Sequence, residues 1–326
     1  MIYVKLGGRA GNQLFNYAFA RKLQLSYPNE ELTFDLSFID DKNRDPSSES
    51  RWEDSLALFN TIPYHTITDE KNLVFKYGSL AQKAVYCFWR LVQHRIKNKK
   101  MSRRIAVRKK LFPFTAKFGI YYLYSTFSVY VPYKISKAKN KFIFGGFEER
   151  IWFDDIRETL LQELTPKKPL KESNRALLDV INNSNSVCIS IRKWSNNVMT
   201  RQICGPKYFE TAIKKIAELV DHPTFIVFSD NVEWGKQLVK DILGDVPIFS
   251  ETGKDDVAEK LALMSGCKHF ILSNSTFSWW AQYLSINKQK IVISPDHWFS
   301  NYDQKLPLIE DSWILVECKE WTDEKN

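Results

Sequence analysis

Cysteine is scarce in this chain, and its spacing argues against two classes of protein. The 326 residues include five cysteines, an odd number, with no CxxC pair and no His–Cys cluster at the spacing of metal ligands. A disulfide-stapled secreted domain and a structural zinc site are therefore disfavoured, and a reducing cytosol is the expected compartment. The five are Cys87, Cys188, Cys204, Cys267 and Cys318.

Long apolar runs are also absent. Met1 to Leu6 is too short for the apolar core of a secretory signal, and no run approaches the ~20 residues of a membrane-spanning helix. The sequence therefore predicts a cytoplasmic protein that is either soluble or peripheral on the inner face of the plasma membrane.

The acidic residues form no motif typical of a metal site or a hydrolase. No Asp-x-Asp triplet, the usual grip on a metal-bound diphosphate, occurs. The adjacent pairs Asp40-Asp41, Asp154-Asp155 and Asp255-Asp256 fall in predicted loops or helix starts, where capping or solvation is expected. No Ser-His-Asp or Cys-His arrangement suggests a nucleophile. We therefore predict no metal and no cofactor.

What the chain does contain is a substantial apolar fraction and a positive charge. Hydrophobic residues make up 44% and aromatic residues 14% of the sequence, enough for one large or two medium domains. The net charge of +9 favours anionic partners such as nucleotide-sugar phosphates, anionic lipid or nucleic acid. No RNP-type or KH-type motif supports RNA binding, so nucleic acid is not the expected partner.

The order of elements predicts an α/β fold. The chain begins with a predicted strand, Met1 to Leu6, and a tight turn at the glycines that follow. A predicted helix comes next, Asn12 to Ser26, and a loop is predicted at Asp40 to Arg51. The two prolines of Thr165 to Pro169 mark the best domain boundary. Beyond it, strands alternate with helices, which indicates a parallel sheet with crossovers. Predicted strands there are 187–191, 224–228, 246–249, 269–272 and 291–294; predicted helices are 208–220, 232–243, 257–264 and 278–286.

Three of these predicted strands end in polar residues, and carboxyl ends of parallel strands meet at the edge where ligands bind. The ends are Arg192-Lys193, Ser229-Asp230-Asn231 and the loop Ser273 to Ser278, which precedes two tryptophans. Together they suit a diphosphate, a ribose and a base edge. Simpler alternatives remain for each: a surface ion pair for Arg192, and helix caps for Asp230 and the hydroxyl-rich loop.

The stretch from Leu80 to Phe112 is aromatic and basic, and we predict a helical insertion there. Within it, Gln93 to Lys110 carries nine Lys and Arg without an acidic residue, flanked by Phe88, Trp89 and Phe112. An anionic membrane surface is one candidate partner for this segment. A solvated helix face is the alternative.

Four motifs resemble the family-11 α-1,2-fucosyltransferases, in the correct order along nearly the whole chain. Gly8 to Ala18 is similar to the G-x-x-G-N-Q-hydrophobic-F-x-Y-A signature of that family, and Phe228 to Trp234 to its F-S-D-D-x-x-W segment. Leu263 to His269, followed by Ser273 to Trp280, resembles L-M-S-x-C-K-H…N-S-[ST]-F-S-W-W, and Pro295 to Phe299 fits P-x-x-W-F. Together these motifs are highly specific.

The resemblance implies two Rossmann-like domains facing a cleft, the GT-B type, and metal-free inversion at the transferred sugar. It implies an acceptor-side domain over 1–165, with the basic helical insertion near 80–112, and a nucleotide-sugar domain over 170–300. For the tail, 301–326, a return to the N-terminal domain is one option. Expected donor-site residues are Arg192 (also the catalytic candidate), Lys193, Ser229, Asp230, Asn274, Ser275, Thr276 and Ser278. Gly8, Arg9, Gly11, Asn12 and Gln13 are expected on the acceptor side.

Two departures from the family pattern matter. The motif H-x-R-R-x-D reads Ser190-Ile191-Arg192-Lys193-Trp194-Ser195 here, so only the first arginine is unchanged, and no general base is assigned. The family pattern has an acidic residue in the helix before Leu263, and Lys260 stands at that position here. Glu259 comes one position earlier, so its side chain points roughly 100° away around the helix. In related enzymes such a carboxylate reads guanine, so this departure bears on the donor's base.

The sequence is therefore interpreted as an inverting glycosyltransferase of surface polysaccharide or O-antigen synthesis. Its expected partners are a nucleotide-sugar, with GDP-fucose the first choice, and a galactose-like acceptor within a glycan or lipid-linked oligosaccharide. The alternatives are the same fold with another nucleotide-sugar, and a non-catalytic nucleotide- or glycan-binding relative.

Overall fold

The structure is a computed structural model that describes residues 1–44, 52–68, 72–123, 129–192, 203–252, 255–299 and 305–318. The chain divides into two compact units. The first comprises Met1–Ala57 and Thr61–Glu163, and the second comprises Leu58–Asn60 and Leu164–Asn326. Residues 58–60 belong to the second unit because they pair with the segment after Leu164, through an antiparallel bridge between Phe59 and Pro166.

The first unit is built on a five-stranded parallel sheet with the order β3-β2-β1-β5-β4. Its central strands β1, β2 and β5 are almost wholly buried, because helices cover a parallel sheet on its faces. The strands are β1 (Ile2–Lys5), β2 (Leu32–Asp35), β3 (Tyr64–Ile67), β4 (Ile120–Tyr122) and β5 (Lys141–Phe144). The helices are α1 (Ala10–Leu25), α2 (Ser37–Arg44), α3 (Leu73–Tyr77), α4 (Leu80–Ile96), α5 (Met101–Lys117) and α6 (Arg157–Glu163).

The second unit contains a six-stranded parallel sheet with the order β11-β10-β9-β6-β7-β8. Counted from its first strand, this is the doubly wound order 3-2-1-4-5-6 of Rossmann folds. The strands are β6 (Asn185–Ile191), β7 (Pro223–Ser229), β8 (Ile248–Ser250), β9 (His269–Ile271), β10 (Val292–Pro295) and β11 (Ile314–Val316). The helices are α7 (Glu172–Asn182), α8 (Pro206–Leu219), α9 (Val232–Leu243), α10 (Val257–Gly266) and α11 (Thr276–Leu284). The protein is thus an α/β protein with two Rossmann-like units.

The structure corrects one expectation from the sequence. Part of the predicted loop 40–51 is helical, since α2 runs to Arg44. The described part of the C-terminal tail contributes β11, which pairs in parallel with β10 at the edge of the second sheet.

Several elements had no predicted counterpart, among them β3, β4, β11 and α7. The three strands have only three or four residues each, too few for an alternating pattern to emerge.

Candidate functional site

The carboxyl edge of the second sheet has a switch point between β6 and β9. From β6 the chain builds outward through β7 and β8, and it then crosses back to place β9 on the other side of β6. In doubly wound sheets, ligands bind outside the carboxyl ends of the strands at such a switch point. Two of the predicted polar segments, Arg192 and the loop from Ser273, leave the sheet at this point.

The loop after β9 presents some of its polar groups and buries others. Ser275 is the N-cap of α11, because its side chain accepts a hydrogen bond from Phe277 N at 3.3 Å. Ser275 and Thr276 are partly exposed at the first turn of the helix. The capping alternative thus holds for Ser275, and the partly exposed helix start is a position where backbone N–H groups favour an anion.

Beneath this loop lies a cluster of three buried hydroxyls. Ser190 Oγ and Ser278 Oγ are 2.6 Å apart, and Ser278 Oγ is 3.2 Å from Ser273 Oγ. All three side chains are buried, so they connect β6 to α11 and do not face solvent. Ser190 was missed by the sequence analysis, which noted only that it stands where relatives carry histidine.

Asn274 has a similar internal role. Its Nδ2 donates to Trp298 O at 3.1 Å, and its Oδ1 lies 3.6 Å from the Sγ of Cys204, which donates to it. The side chain is buried. Asn274 therefore ties the loop to the segment after β10 and to the segment before α8, and Ser275 and Thr276 are the more accessible polar side chains.

The ends of β6 and β7 are joined by an ion pair. Arg192 Nη1 lies 3.5 Å from Asp230 Oδ1, and the two side chains are 30% and 49% exposed. Asp230 does not cap α9, because Asn231 does so by accepting from Trp234 N at 3.2 Å. Ser229 Oγ in turn accepts from Asn231 N at 3.0 Å. Arg192 and Asp230 are thus half-exposed charges beside the switch point, whereas Lys193 lies outside the described residues.

The acidic residue just before Lys260 is engaged inside the second unit. Glu259 is buried, and its Oε1 accepts from the backbone N of Lys171 at 2.6 Å. Lys171 Nζ donates to Asp255 Oδ1 at 2.8 Å. Burial raises the pKa of Asp255, but the hydrogen bond from Lys171 and others outweigh it, so the pKa is lowered overall. Lys260 pairs with the buried Glu251 at 2.6 Å. Glu259 is thus engaged by the backbone of Lys171, and Lys260 by the carboxylate of Glu251.

On the first unit, the loop after β1 adopts a conformation that requires glycine. Gly8 has φ +78°, and a β-carbon there would lie 2.3 Å from Asn12 Nδ2. Gln13 is buried and holds the neighbouring backbone, since it donates to Gly8 O and Glu53 O and accepts from Ser55 N. Gly11 is buried as well. Among the predicted acceptor-side residues, these three shape the loop.

Arg9 and Asn12 are the members of that set whose side chains reach the surface. The guanidinium of Arg9 lies 5.6 Å from the ring centroid of Trp52, within range of a cation–π contact. The side-chain amide of Asn43 holds the backbone of Trp52. Its Nδ2 donates to Trp52 O at 2.8 Å, and its Oδ1 accepts from Trp52 N at 2.7 Å. The sequence analysis missed Trp52, which no spacing connects to Arg9.

Within the described ranges, no group of three or more His, Cys, Asp and Glu side chains could hold a metal ion.

Comparison with known proteins identifies relatives along the whole chain. The model of the family "Glycosyl transferase family 11" matches residues 1–317. The chain is 28% identical to the O-antigen biosynthesis glycosyltransferase WbnK of Escherichia coli over 96% of this chain and 99% of that protein. It is 30% identical to an α-1,2-colitosyltransferase of Escherichia coli over 56% of this chain and 64% of that one. Among solved structures it is similar to the fucosyltransferase NodZ from Bradyrhizobium, with 13% identity, a TM-score of 0.44 and coverage of 86% and 91%.

Proposed function

We propose, from the premise that the chain belongs to glycosyl transferase family 11, that it moves a sugar with inversion from a nucleoside diphosphate to a hydroxyl of a galactose-like acceptor. The observation that carries the proposal is the set of polar groups around the switch point: the Arg192–Asp230 pair and the partly exposed start of α11. A role in O-antigen or surface polysaccharide synthesis is supported by the similarity to WbnK over nearly the full length of both chains.

The proposed donor is GDP-fucose. The motifs shared with α-1,2-fucosyltransferases support it, as does the 26% identity to galactoside α-(1,2)-fucosyltransferase 2 of Mus musculus over 41% of this chain. The similarity to a colitosyltransferase supports the alternative, a different deoxyhexose donor. Lys260 supports it too, since it stands where related enzymes carry a guanine-reading carboxylate. A relative that binds a nucleotide without turnover is the third candidate.

In the proposed mechanism, Arg192 binds the diphosphate and stabilises the negative charge that grows on it as the glycosidic bond breaks. A guanidinium can bond two phosphate oxygens at once, and such electrostatic stabilisation lowers the barrier directly. Lys193 would add charge, while Ser275, Thr276 and the first N–H groups of α11 would donate to phosphate oxygens. Asp230 and Ser229 would serve the ribose or the base. No metal and no cofactor takes part in this proposal.

The acceptor is proposed to bind on the first unit, at the loop that Gly8, Gly11 and Gln13 shape. Arg9 and Asn12 offer polar groups there, and Trp52 offers an aromatic face beside Arg9. A lipid-linked oligosaccharide is the proposed form of the acceptor, with the enzyme acting at the inner face of the plasma membrane.

A donor panel tests this function. The purified protein is incubated with a galactoside acceptor and each of several GDP-, UDP- and dTDP-linked sugars, and the product anomer is assigned by NMR. We expect turnover with GDP-fucose, an inverted product and a large loss of rate in Arg192→Ala. Turnover with another donor alone would reassign the substrate. Nucleotide binding without any turnover, measured by calorimetry, would establish a non-catalytic relative.

A further inference from the structure

The positive charge of this protein resides in one part of the first unit. Between residues 71 and 147 the chain contains 18 Lys and Arg and no Asp or Glu. The whole chain has 47 basic and 38 acidic residues, so the remainder carries 29 basic against 38 acidic ones. The basic segment includes the hairpin formed by α4 and α5 with the four residues that connect them.

The inner face of α4 is fixed to the sheet of its own unit. Trp89 is buried against Tyr122 of β4, with ring centroids 3.6 Å apart. Gln82 donates to Phe118 O at 2.9 Å and to Asn140 O at 2.7 Å, and it completes a capping box with Ser79. The helix is therefore already held in place by one face.

The sequence analysis named three aromatic residues beside the basic segment, Phe88, Trp89 and Phe112, as part of a candidate membrane-facing surface. The structure exposes only part of this set. Trp89 and Phe112 are buried, and so is Arg108, which donates to Gln93 Oε1 at 2.8 Å. Of the three aromatic residues, Phe88 faces outward.

The opposite face of α4 is apolar and exposed. Leu80, Phe88 and Leu91 are 85%, 47% and 64% exposed, and Ala84 lies between them at helical spacing. Phe114 of α5 is 45% exposed, and its ring centroid lies 6.3 Å from that of Phe88. These five residues form what we term the outer row. Single exposed apolar residues are ordinary, but a contiguous row across two helices marks an interaction surface.

Exposed cations lie at one end of the outer row. They occupy the last turn of α4, the connection and the first turn of α5, and we term them the basic tip: Arg95, Lys97, Lys99, Lys100 and Arg103. No helix among the described residues is long and apolar enough to cross a membrane. An apolar row edged by Lys and Arg is the pattern of helices that lie in the headgroup region of a bilayer.

We propose that the α4–α5 hairpin docks on an anionic lipid surface, with the outer row inserted among the headgroups and the basic tip against their phosphates. Lysines and arginines near an anionic leaflet contribute favourably and lose that contribution as salt increases, whereas inserted apolar side chains do not. The combination predicts binding that salt weakens but does not abolish.

Charge decides between a lipid surface and a second copy of the chain. In a pair of facing hairpins neither basic tip would find a counter-charge, because the 71–147 segment contains no acidic residue. Nucleic acid would complement the basic tip but would leave the outer row in water. A bilayer with anionic lipid matches both parts.

This proposal names the surface that would hold the protein at the membrane. It rests on the proposed function only for the reason such binding is useful, which is access to a lipid-linked acceptor. Its test is therefore a binding measurement that needs no turnover. The full chain is sedimented with vesicles of phosphatidylcholine alone or mixed with phosphatidylglycerol, at low and high salt of ~0.05 and ~0.5 M.

Two variants and two matched controls resolve the contributions. Phe88→Ser/Leu91→Ser removes the outer row, with Leu219→Ser/Ile286→Ser as a control for exposed apolar residues of the second unit. Arg95→Glu/Lys99→Glu/Lys100→Glu reverses the basic tip, with Lys215→Glu/Lys240→Glu/Lys288→Glu as a control of equal charge change on exposed lysines.

The proposal predicts that the protein prefers anionic vesicles, and that the basic-tip variant loses at least about 100-fold in partition at low salt. The outer-row variant should lose about tenfold or more and bind nothing at high salt. Both controls should bind as the unchanged protein does, and all variants should keep turnover on a soluble acceptor. Four results would each overturn the proposal. The protein could bind neutral and anionic vesicles equally, or bind neither. The controls could lose binding, or the protein could form a dimer that the outer-row variant abolishes.

Discussion

Ser190 Oγ and Ser278 Oγ lie 2.6 Å apart across the switch point of the second sheet, although 88 residues separate them in the chain. Ser190 is the residue before the last of β6, and Ser278 lies in the first turn of α11. The contact therefore fixes the hydroxyl-rich loop relative to the strand that carries Arg192. Precise placement of a site depends on such supporting contacts as much as on the groups that touch a ligand.

We expect removal of this contact to lower stability more than chemistry. Ser278→Ala leaves the hydroxyls of Ser190 and Ser273 with fewer partners in a buried place, which costs roughly 1–3 kcal/mol of unfolding free energy. Urea denaturation of Ser190→Ala, Ser278→Ala and the double variant measures the coupling. The double variant should lose less than the sum of the two singles; strict additivity would mean that the two hydroxyls do not interact.

Among the proposed donor-site residues, Arg192 is expected to cause the largest loss of kcat/KM when it is replaced. A hydrogen bond to a charged group contributes about 1.5–3 kcal/mol, so Arg192→Ala should lower kcat/KM about 10- to 150-fold. Part of the loss should appear in kcat if the bond strengthens on the leaving diphosphate. Arg192→Lys should recover only part, because lysine lacks the planar fork.

Lys193→Ala serves as the comparison and should be the milder change. Steady-state kinetics are interpreted only for variants whose thermal melts match the parent. A folded Arg192→Ala enzyme with near-normal turnover would refute the proposed position of the diphosphate.

Transfer is expected to proceed without a divalent ion, since we propose that Arg192 and the start of α11 neutralise the leaving group. Initial rates in excess EDTA should equal those without chelator. A rate that EDTA abolishes and Mn²⁺ restores would contradict the proposed role of these cationic and dipolar groups.

Gly145 is expected to tolerate no side chain. Its φ is +123°, and a β-carbon there would lie 1.4 Å from Leu123 O, the carbonyl that follows β4. Strain of this kind alone costs about 1–3 kcal/mol, and the overlap adds to it, so Gly145→Ala should lower the melting temperature markedly. Gly244→Ala is the matched control, because Gly244 also has a positive φ, +73°, but has no atom within 4 Å of that position. Similar melting temperatures for the two variants would contradict the close packing of β4 on β5.

His269 should make stability depend on pH. Burial, helped by Lys268, lowers the pKa of its imidazole, and its Nδ1 accepts a hydrogen bond from Ile291 N at 3.1 Å, which requires the neutral ring. Because the folded pKa is below the unfolded one, the unfolded chain takes up the proton first. Unfolding free energy should therefore fall as pH drops from about 6.5 towards the folded pKa.

Urea denaturation at several pH values between about 5 and 7.5 checks this, the range in which an ordinary histidine titrates. His269→Gln should flatten the pH dependence, and the exposed His222→Gln is the matched control. An unaltered pH profile in His269→Gln would assign the effect to another group.

Much of the fold was predicted from the sequence because its signals are local. The apolar runs of β6 and β7 and the period of α9 appear within a few residues, and prediction and structure agree there within two residues at each end. The short strands β4 and β11 were missed, since three residues carry no period and become strands only by pairing with β5 and β10.

The sequence by itself determined the types of chemistry this chain carries: a cationic strand end, a hydroxyl-rich helix start and a segment without acidic residues. Only the tertiary structure decided which of those groups face solvent. It placed Ser278 and Asn274 inside and left Ser275 and Arg192 outside. It likewise separated the neighbours Phe88 and Trp89, one outward and one inward. The physical reason is that exposure depends on what packs against a residue from distant parts of the chain, and a local pattern contains no record of those partners.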